Sequence, residues 1–223
     1  MDPQTHCRDK LTAELQSLFL RKRQASLHAE RIVEHGGIER SIYRIPGVLS
    51  DQECKRCIHA AESSELFEHQ SSPNSPEYAF RDHFRIRLHS KEVASLLWKK
   101  TGLKDVFACI QSPACSGNPV GLNPVLRIYK YNAGKECFGK HIDESDEVED
   151  GRTEYTLLIY LSTTKGGDTA FYDERGRLLV GVEPRAGMAL LHRHGEDHCL
   201  EHEALPVREG CKYVLRSDIV FSG

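Results

Sequence analysis

Residues 202–218, HEALPVREGCKYVLRSD, decide how the C-terminal half of this 223-residue chain folds. The stretch starts as a strand at His202, passes Pro206-Val207, turns at Glu209-Gly210 and returns through a β-rich run that continues to Phe221. At a period of two, Lys212, Val214, Arg216 and Asp218 share one face of that run, and Tyr213, Leu215, Ile219 and Phe221 share the other. The second face is apolar and needs a core. The charged face either points at solvent or lines a wet interior able to hold an anion, and the alternation alone leaves both open.

Upstream of this run, VLRIYKY, YTLLIYL, DTAFYD, RLLVGV and GMALLH all read as short strands separated by glycine- and charge-bearing turns. Many short strands after a helical half predict an α+β chain: a β-sandwich or jelly roll with N-terminal helices packed on one sheet. The helical half opens with residues 9–34, where leucines and alanines recur among charged residues up to HGG, a pattern expected of one amphipathic helix. Arg21, Lys22 and Arg23 read as its solvated face. SIYRIP is a short strand, and VLSDQECKRCIHAAESS is a helix with a Ser50/Glu53 capping box. Cys54, Cys57, Ile58 and Ala61 fall on one face of that helix. With no second cysteine pair at matching spacing, Cys54-x-x-Cys57 reads as core packing. SSPNSPEY is a loop, YAFRDHFRIRLH is extended, and SKEVASLLWKKTG is a helix closed by glycine. The turn-rich residues 112–124 mark a boundary. The expected organisation is a helical layer with early strands over residues 1–120, supporting a core over 121–223 in one structural domain.

Composition narrows the function classes. Hydrophobic residues at 39% and charged ones at 28% suit a globular chain. A net charge of −3 gives no general attraction to nucleic acid or an anionic membrane, and no stretch approaches the length of a spanning helix. MDPQTHCRDKLTAELQ lacks an apolar run of signal-peptide type. The eight cysteines are therefore expected as reduced thiols in the cytoplasm or nucleus.

The chemistry-bearing stretch is FGKHIDES, residues 138–145, which sets His141 and Asp143 one residue apart in what reads as a turn. A 2-His-1-carboxylate site needs one more histidine from a distant strand. His192, His194, His198 and His202 compete. His202 is favoured because a lysine follows ten residues later on the returning strand, offering a counter-charge for a bound carboxylate. His198 also has a cation ten residues on, Arg208, but that residue sits beside the turn, where solvent is the easier destination.

YNAGKECFGKHID, YTLLIYLS, GGDTAFY, VEPRAGMALL and HEALPVREGCKYVLRSD together resemble the iron(II)/2-oxoglutarate-dependent dioxygenases, specifically their prolyl 4-hydroxylase-like branch, over roughly residues 121–223. The resemblance implies a double-stranded β-helix with iron(II) held by His141, Asp143 and His202. It implies that Lys212 pairs with the distal carboxylate of the cosubstrate 2-oxoglutarate, and that Tyr131 and Tyr160 lie near that cosubstrate. Arg216 shares the face of Lys212 and could assist. FRDHFRIRL looks like a segment near the barrel mouth in relatives, which makes Arg81 and Arg85 candidate substrate contacts. One departure is Met188, at a position that is often acidic in relatives.

The implied reaction is hydroxylation of a C–H bond by dioxygen, with decarboxylation of 2-oxoglutarate to succinate and ascorbate as reductant. The expected substrate is a protein side chain such as proline, with a small free metabolite as the alternative. A jelly-roll metal-binding module without 2-oxoglutarate chemistry is the reading from a different class, and it would have no need of Lys212 inside. The acidic run DESDEVED after the ligands argues against a nucleic-acid backbone at the entrance and favours a neutral or basic partner.

Overall fold

A computed structural model describes residues 2–20, 27–35, 40–73, 75, 79–110, 117–195 and 197–222. The order begins α1 (Pro3–Phe19), β1 (Glu30–Val33), β2 (Ile42–Ile45), α2 (Asp51–Ser63), β3 (Glu68–Ser72), β4 (Arg81–His89), α3 (Lys91–Lys100) and α4 (Leu103–Cys109). It continues β5 (Pro119–Leu122), β6 (Val125–Asn132), β7 (Cys137–His141), β8 (Glu147–Val148), β9 (Gly151–Tyr160) and β10 (Lys165–Gly166). The last six strands are β11 (Thr169–Tyr172), β12 (Leu178–Val182), β13 (Ala189–Arg193), β14 (His202–Ala204), β15 (Val207–Glu209) and β16 (Cys211–Phe221).

The helices form where the sequence supplies both a cap and an apolar stripe. Ser50 accepts a hydrogen bond from the Glu53 amide while the Glu53 carboxylate accepts from the Ser50 amide, closing the capping box of α2. Cys54, Cys57 and Ala61 are then buried along one stripe. Ser90 caps α3 through the Val93 amide, Lys99 and Lys100 occupy its last turn, and Val93, Ala94, Leu97 and Trp98 face inward. In α1, Leu11, Leu15, Leu18 and Phe19 make the buried stripe.

One expectation at the N-terminal end is corrected. The helix expected over 9–34 ends at Phe19, and Glu30–Val33 is a strand that pairs antiparallel with β2. Ile32 and Val33 are β-branched and reach a ready partner in β2, so pairing wins over the helical pattern. Arg21, Lys22 and Arg23 lie outside the described residues. Within the turn-rich boundary, Pro119–Leu122 also forms a strand, on the edge of β16.

Fourteen strands form one sheet curling into a jelly-roll core, whose main path runs β1-β2-β13-β9-β16-β6-β4-β7-β14-β11-β12. β4 from the first half pairs with both β6 and β7, so the early strands are part of the same sheet as the late ones. Alternation along the central strands feeds two interiors. Leu126, Ile128, Leu157, Ile159, Leu191, Leu215 and Phe221 join Leu15, Cys57, Trp98 and Phe107 in the layer between sheet and helices. Their neighbours Tyr129, Tyr131, Tyr160, Leu190 and Val214 face the inside of the curled sheet. Met188 packs there too, so an apolar residue at that position fills an apolar place.

Gly187 shows how tightly the turn before β13 is held. Its φ is +80°, and a Cβ there would lie 1.9 Å from the Leu49 carbonyl oxygen. That close approach lets the Leu49 amide donate to the Gly187 carbonyl and ties the helical layer to the sheet.

Candidate active site

The charged face of β16 points into the curled sheet, which settles the choice that alternation left open. Lys212 and Asp218 are each 2% exposed, and Lys212 and Arg216 line the same inner recess as His141, Asp143 and His202. His141 ends β7, a strand where a turn was expected, and His202 opens β14, its neighbour in the sheet. The two histidines are register partners across that pair. Asp143 follows two residues after the strand end, where the chain turns back beside them.

The geometry suits a metal cation. One ligand atom each from His141, Asp143 and His202 lie within 4.8 Å of one another. The Nδ1 of His141 is 2.8 Å from the Gly139 carbonyl oxygen, and that of His202 is 3.0 Å from the Leu200 carbonyl oxygen. A carbonyl only accepts, so each Nδ1 carries the proton, leaving the two Nε2 lone pairs to face the shared space. Two imidazoles and one carboxylate on one side of a site form the donor set that suits non-haem iron(II).

The electrostatics fix Asp143 as an anion. Burial favours its neutral form, but the Arg216 guanidinium at 3.1 Å and His202 outweigh that and hold its pKa well below the usual carboxylate range. Thr156 donates to its second oxygen at 2.6 Å, and His194 donates in turn to the Thr156 hydroxyl at 2.7 Å. Arg216 also reaches Asp218 at 3.3 Å, and Asp218 holds Arg127 at 3.3 Å. Burial pushes the His141 pKa down to about 3, so its Nε2 is unprotonated at neutral pH. For His202 burial acts the same way, but the contacts with Asp143 and Cys199 reverse it and raise the pKa to about 10. A bound cation would replace that proton.

Lys212 sits deeper. Its ammonium donates to the Gly167 carbonyl at 2.6 Å and lies 5.4 and 5.6 Å from the ring centroids of Tyr131 and Tyr160. Gly167 has φ +77°, and a Cβ there would lie 2.8 Å from Val207 and 3.3 Å from the Lys212 chain, so only glycine presents its carbonyl this way. No carboxylate among the described residues lies within ion-pair distance of Lys212, and burial lowers its pKa to about 7. Tyr131 and Tyr160 are both buried, and the Tyr160 hydroxyl bonds Thr169 at 2.8 Å.

Arg81 and Arg85 line an outer groove of 430 Å³ that reaches His141 and Asp143. His198 lies outside both the recess and the ligand cluster. Two further groups near the site went unassigned in the sequence. His192 Nε2 comes within 3.6 Å of Asp143, and Cys199 lies 3.9 Å from a ring nitrogen of both His192 and His202. These three form a second potential donor set, sharing His202 with the first. For His192 the signal was present: in GMALLH it shares the face of Leu190, which points into the sheet's interior.

Residues 126–217 match the family model of the 2OG-Fe(II) oxygenase superfamily. No curated protein matches the chain by sequence. Among solved structures, a viral collagen prolyl hydroxylase from Paramecium bursaria Chlorella virus-1, as a 2OG complex, aligns with TM-score 0.57 at 19% identity, over 80% of this chain and 94% of that one. A prolyl hydroxylase from Trichoplax adhaerens, in complex with a hypoxia inducible factor oxygen degradation domain peptide, aligns with TM-score 0.60 at 16% identity, over 81% and 83%. A Pseudomonas putida prolyl-4-hydroxylase aligns with TM-score 0.54 at 16% identity, over 96% and 100%. At these identities the structures speak for the shared fold.

Proposed function

We propose that this chain is a prolyl 4-hydroxylase-like 2OG-Fe(II) oxygenase, a reading the superfamily match over residues 126–217 supports, and that it hydroxylates a C–H bond of a protein side chain such as proline. The observation that carries the reading is Lys212: a buried ammonium with no carboxylate partner among the described residues, in the recess that holds His141, Asp143 and His202. An unpaired buried cation is costly, and a dicarboxylate cosubstrate supplies the missing anion.

In this reading His141, Asp143 and His202 hold iron(II), which when bound supplies activation of dioxygen coupled to decarboxylation of 2-oxoglutarate to succinate. The backbone carbonyls of Gly139 and Leu200 keep both imidazoles in the tautomer that offers Nε2. Arg216 and Thr156 keep Asp143 ionised and oriented. Lys212 binds the distal carboxylate of 2-oxoglutarate through a charge-assisted hydrogen bond. Tyr131 walls that end of the recess, with the Tyr160 ring behind it 5.6 Å from the Lys212 ammonium, while Leu158 and Val214 keep the lining apolar and limit water. Arg81 and Arg85 meet the substrate in the outer groove. Ascorbate serves as the reductant that keeps iron in its ferrous state.

The test is to incubate the protein with iron(II), 2-oxoglutarate and ascorbate, once with a proline-containing peptide library and once with a metabolite extract. Succinate formed in step with a single added oxygen on a peptide is the expected result. Succinate formed only with the metabolite extract would reject the protein side chain as target.

A further inference from the structure

The outer groove has a wall whose charge is left unanswered. β4 lays Arg81, His83 and Arg85 along it at alternate positions, so all three face the same space. The two other arginines of the groove are committed: Arg216 to Asp143 and Asp218, and Arg127 to Asp218. Arg81 and Arg85 are not. Among the described residues no carboxylate pairs with either, the Arg81 Nε is buried without a hydrogen-bond partner, and Arg85 reaches only the neutral Gln70 amide at 2.9 Å.

Between them, His83 is 1% exposed; neither ring nitrogen makes a hydrogen bond of good geometry, and its one polar neighbour is the Cys137 backbone. It is packed against Tyr129, Tyr131 and Phe138 at ring-centroid distances of 5.3, 5.2 and 5.7 Å. Burial, with Arg85 and Arg81 beside it, lowers its pKa to about 4, so the ring is neutral and offers one N–H donor. The buried imidazole is short of a good hydrogen bond and the two half-buried guanidiniums have no counter-ion, so one oxyanion seated among them meets all three.

The acidic run does not cancel this wall. Glu147 approaches Arg152 at 3.9 Å and Glu149 bonds Lys91 at 2.6 Å, away from the groove, leaving Glu144 and Asp146 on its lining. The wall is also close to the chemistry. The Arg81 guanidinium lies 4.9 Å from the centroid of Phe138, and the Phe138 ring stacks on His141 at 3.8 Å. An anion held by Arg81 therefore sits within a side chain's reach of the ligand cluster.

We propose that Arg81, His83 and Arg85 bind a carboxylate of the substrate, so that the preferred substrate is an acidic peptide with Asp or Glu within about two residues of the oxidised position. This rests on the oxygenase reading for the word substrate, while the anion site itself stands on the wall's geometry.

The test uses fluorescently labelled proline-centred hexapeptides in three matched sets: Asp or Glu beside the proline, Asn or Gln in the same places, and phosphoserine in the same places. Anisotropy measures binding to the 2-oxoglutarate-loaded protein without iron, and mass spectrometry measures added oxygen once iron(II) is supplied. We expect the acidic set to bind at least tenfold more tightly than the amide set. Arg81→Gln and Arg85→Gln should each remove most of that preference, while Arg87→Gln, an exposed arginine of the same strand, leaves it intact. The double variant Arg81→Glu/Arg85→Glu should shift preference to lysine-bearing peptides, a change that mere loosening of the groove would not produce. If that variant fails to fold, the glutamine variants decide. Equal binding of acidic and amide sets, no binding of the acidic set, stronger binding of the phosphoserine set, or indifference to both glutamine variants would each overturn the proposal. Acidic peptides that bind through Arg81 and gain no oxygen would leave the anion site standing and remove the hydroxylase reading.

Discussion

The two faces of β16 lead into two interiors of opposite character. On the helix side, Tyr213, Leu215, Ile219 and Phe221 enter an apolar layer where Phe107 packs edge-on against Tyr155 and Phe221 at 5.0 and 5.8 Å. On the other side, one strand's width away, Lys212 and Asp218 are equally hidden from water and Arg216 is largely so, but all three carry charge. Burial alone therefore does not separate scaffold from site in this molecule. What separates them is whether the buried groups answer one another. The helix-side layer is complete in itself, while the barrel side holds cations, imidazoles and a carboxylate whose lone pairs and charges call for a ligand.

The strongest way to break the comparison is to remove the groups on the barrel side that would meet the metal. His141→Ala, Asp143→Ala and His202→Ala should each abolish iron-dependent 2-oxoglutarate turnover, while His198→Ala keeps most of it. Metal content and succinate release measure this, and an inactive His198→Ala beside an active His202→Ala would reassign the third ligand. On the helix side the corresponding deletion acts on stability. Phe107→Ala should cost about 3–5 kcal/mol of unfolding free energy, read by denaturant titration, with the affinity of the folded protein for 2-oxoglutarate unchanged.

Smaller effects sharpen the contrast. Lys212→Ala should weaken 2-oxoglutarate binding by about 1.5–3 kcal/mol, on the order of ten- to a hundredfold. A large loss in Arg216→Ala beside an unchanged Lys212→Ala would move the anchor to the arginine. The smallest effect is a pH dependence. Burial brings the Lys212 pKa down to about 7, and a bound carboxylate favours the protonated form. Below that pH the ammonium is present before binding; above it, binding must take up a proton. Affinity for 2-oxoglutarate should therefore fall about tenfold per pH unit above roughly 7. Lys212→Arg, which stays charged, should flatten that limb of the profile.

Much of this arrangement was legible in the residues. The alternation of β16 separated the two faces, though which of them met solvent was undecided, because a strand buried on both sides and one with a wet side carry the same period. The capping box of α2 and its stripe of Cys54, Cys57 and Ala61 were local signals, and local signals survive folding. The helix expected over 9–34 failed at Glu30–Val33, where a non-local partner, β2, decides the conformation. Strand β7 was missed because its five residues, CFGKH, include Gly139, Lys140 and only one large apolar side chain, and only pairing with β4 and β14 holds it extended. His192 was placed on a strand and among the competing ligands, but Cys199 carried no signal, because only the closed sheet brings it to 3.9 Å from His192 and His202. The open charge of Arg81 and Arg85 had no signature in sequence, since the absence of a partner is a property of the folded chain.

The hairpin that joins His202 to Lys212 sets a reading frame. Between them the chain leaves β14, runs through β15, turns at Gly210 and enters β16. Adding one residue to that turn would exchange the two faces of β16, aiming a phenol at the inner recess and an ammonium at the helices. Adding two would restore the faces but carry the lysine about 7 Å along the strand, out of reach of the Gly167 carbonyl that now holds it. Length in this hairpin is thus fixed by parity and by reach together, so that the spacing of one histidine and one lysine acts as a gauge of whether such a chain can seat a dicarboxylate.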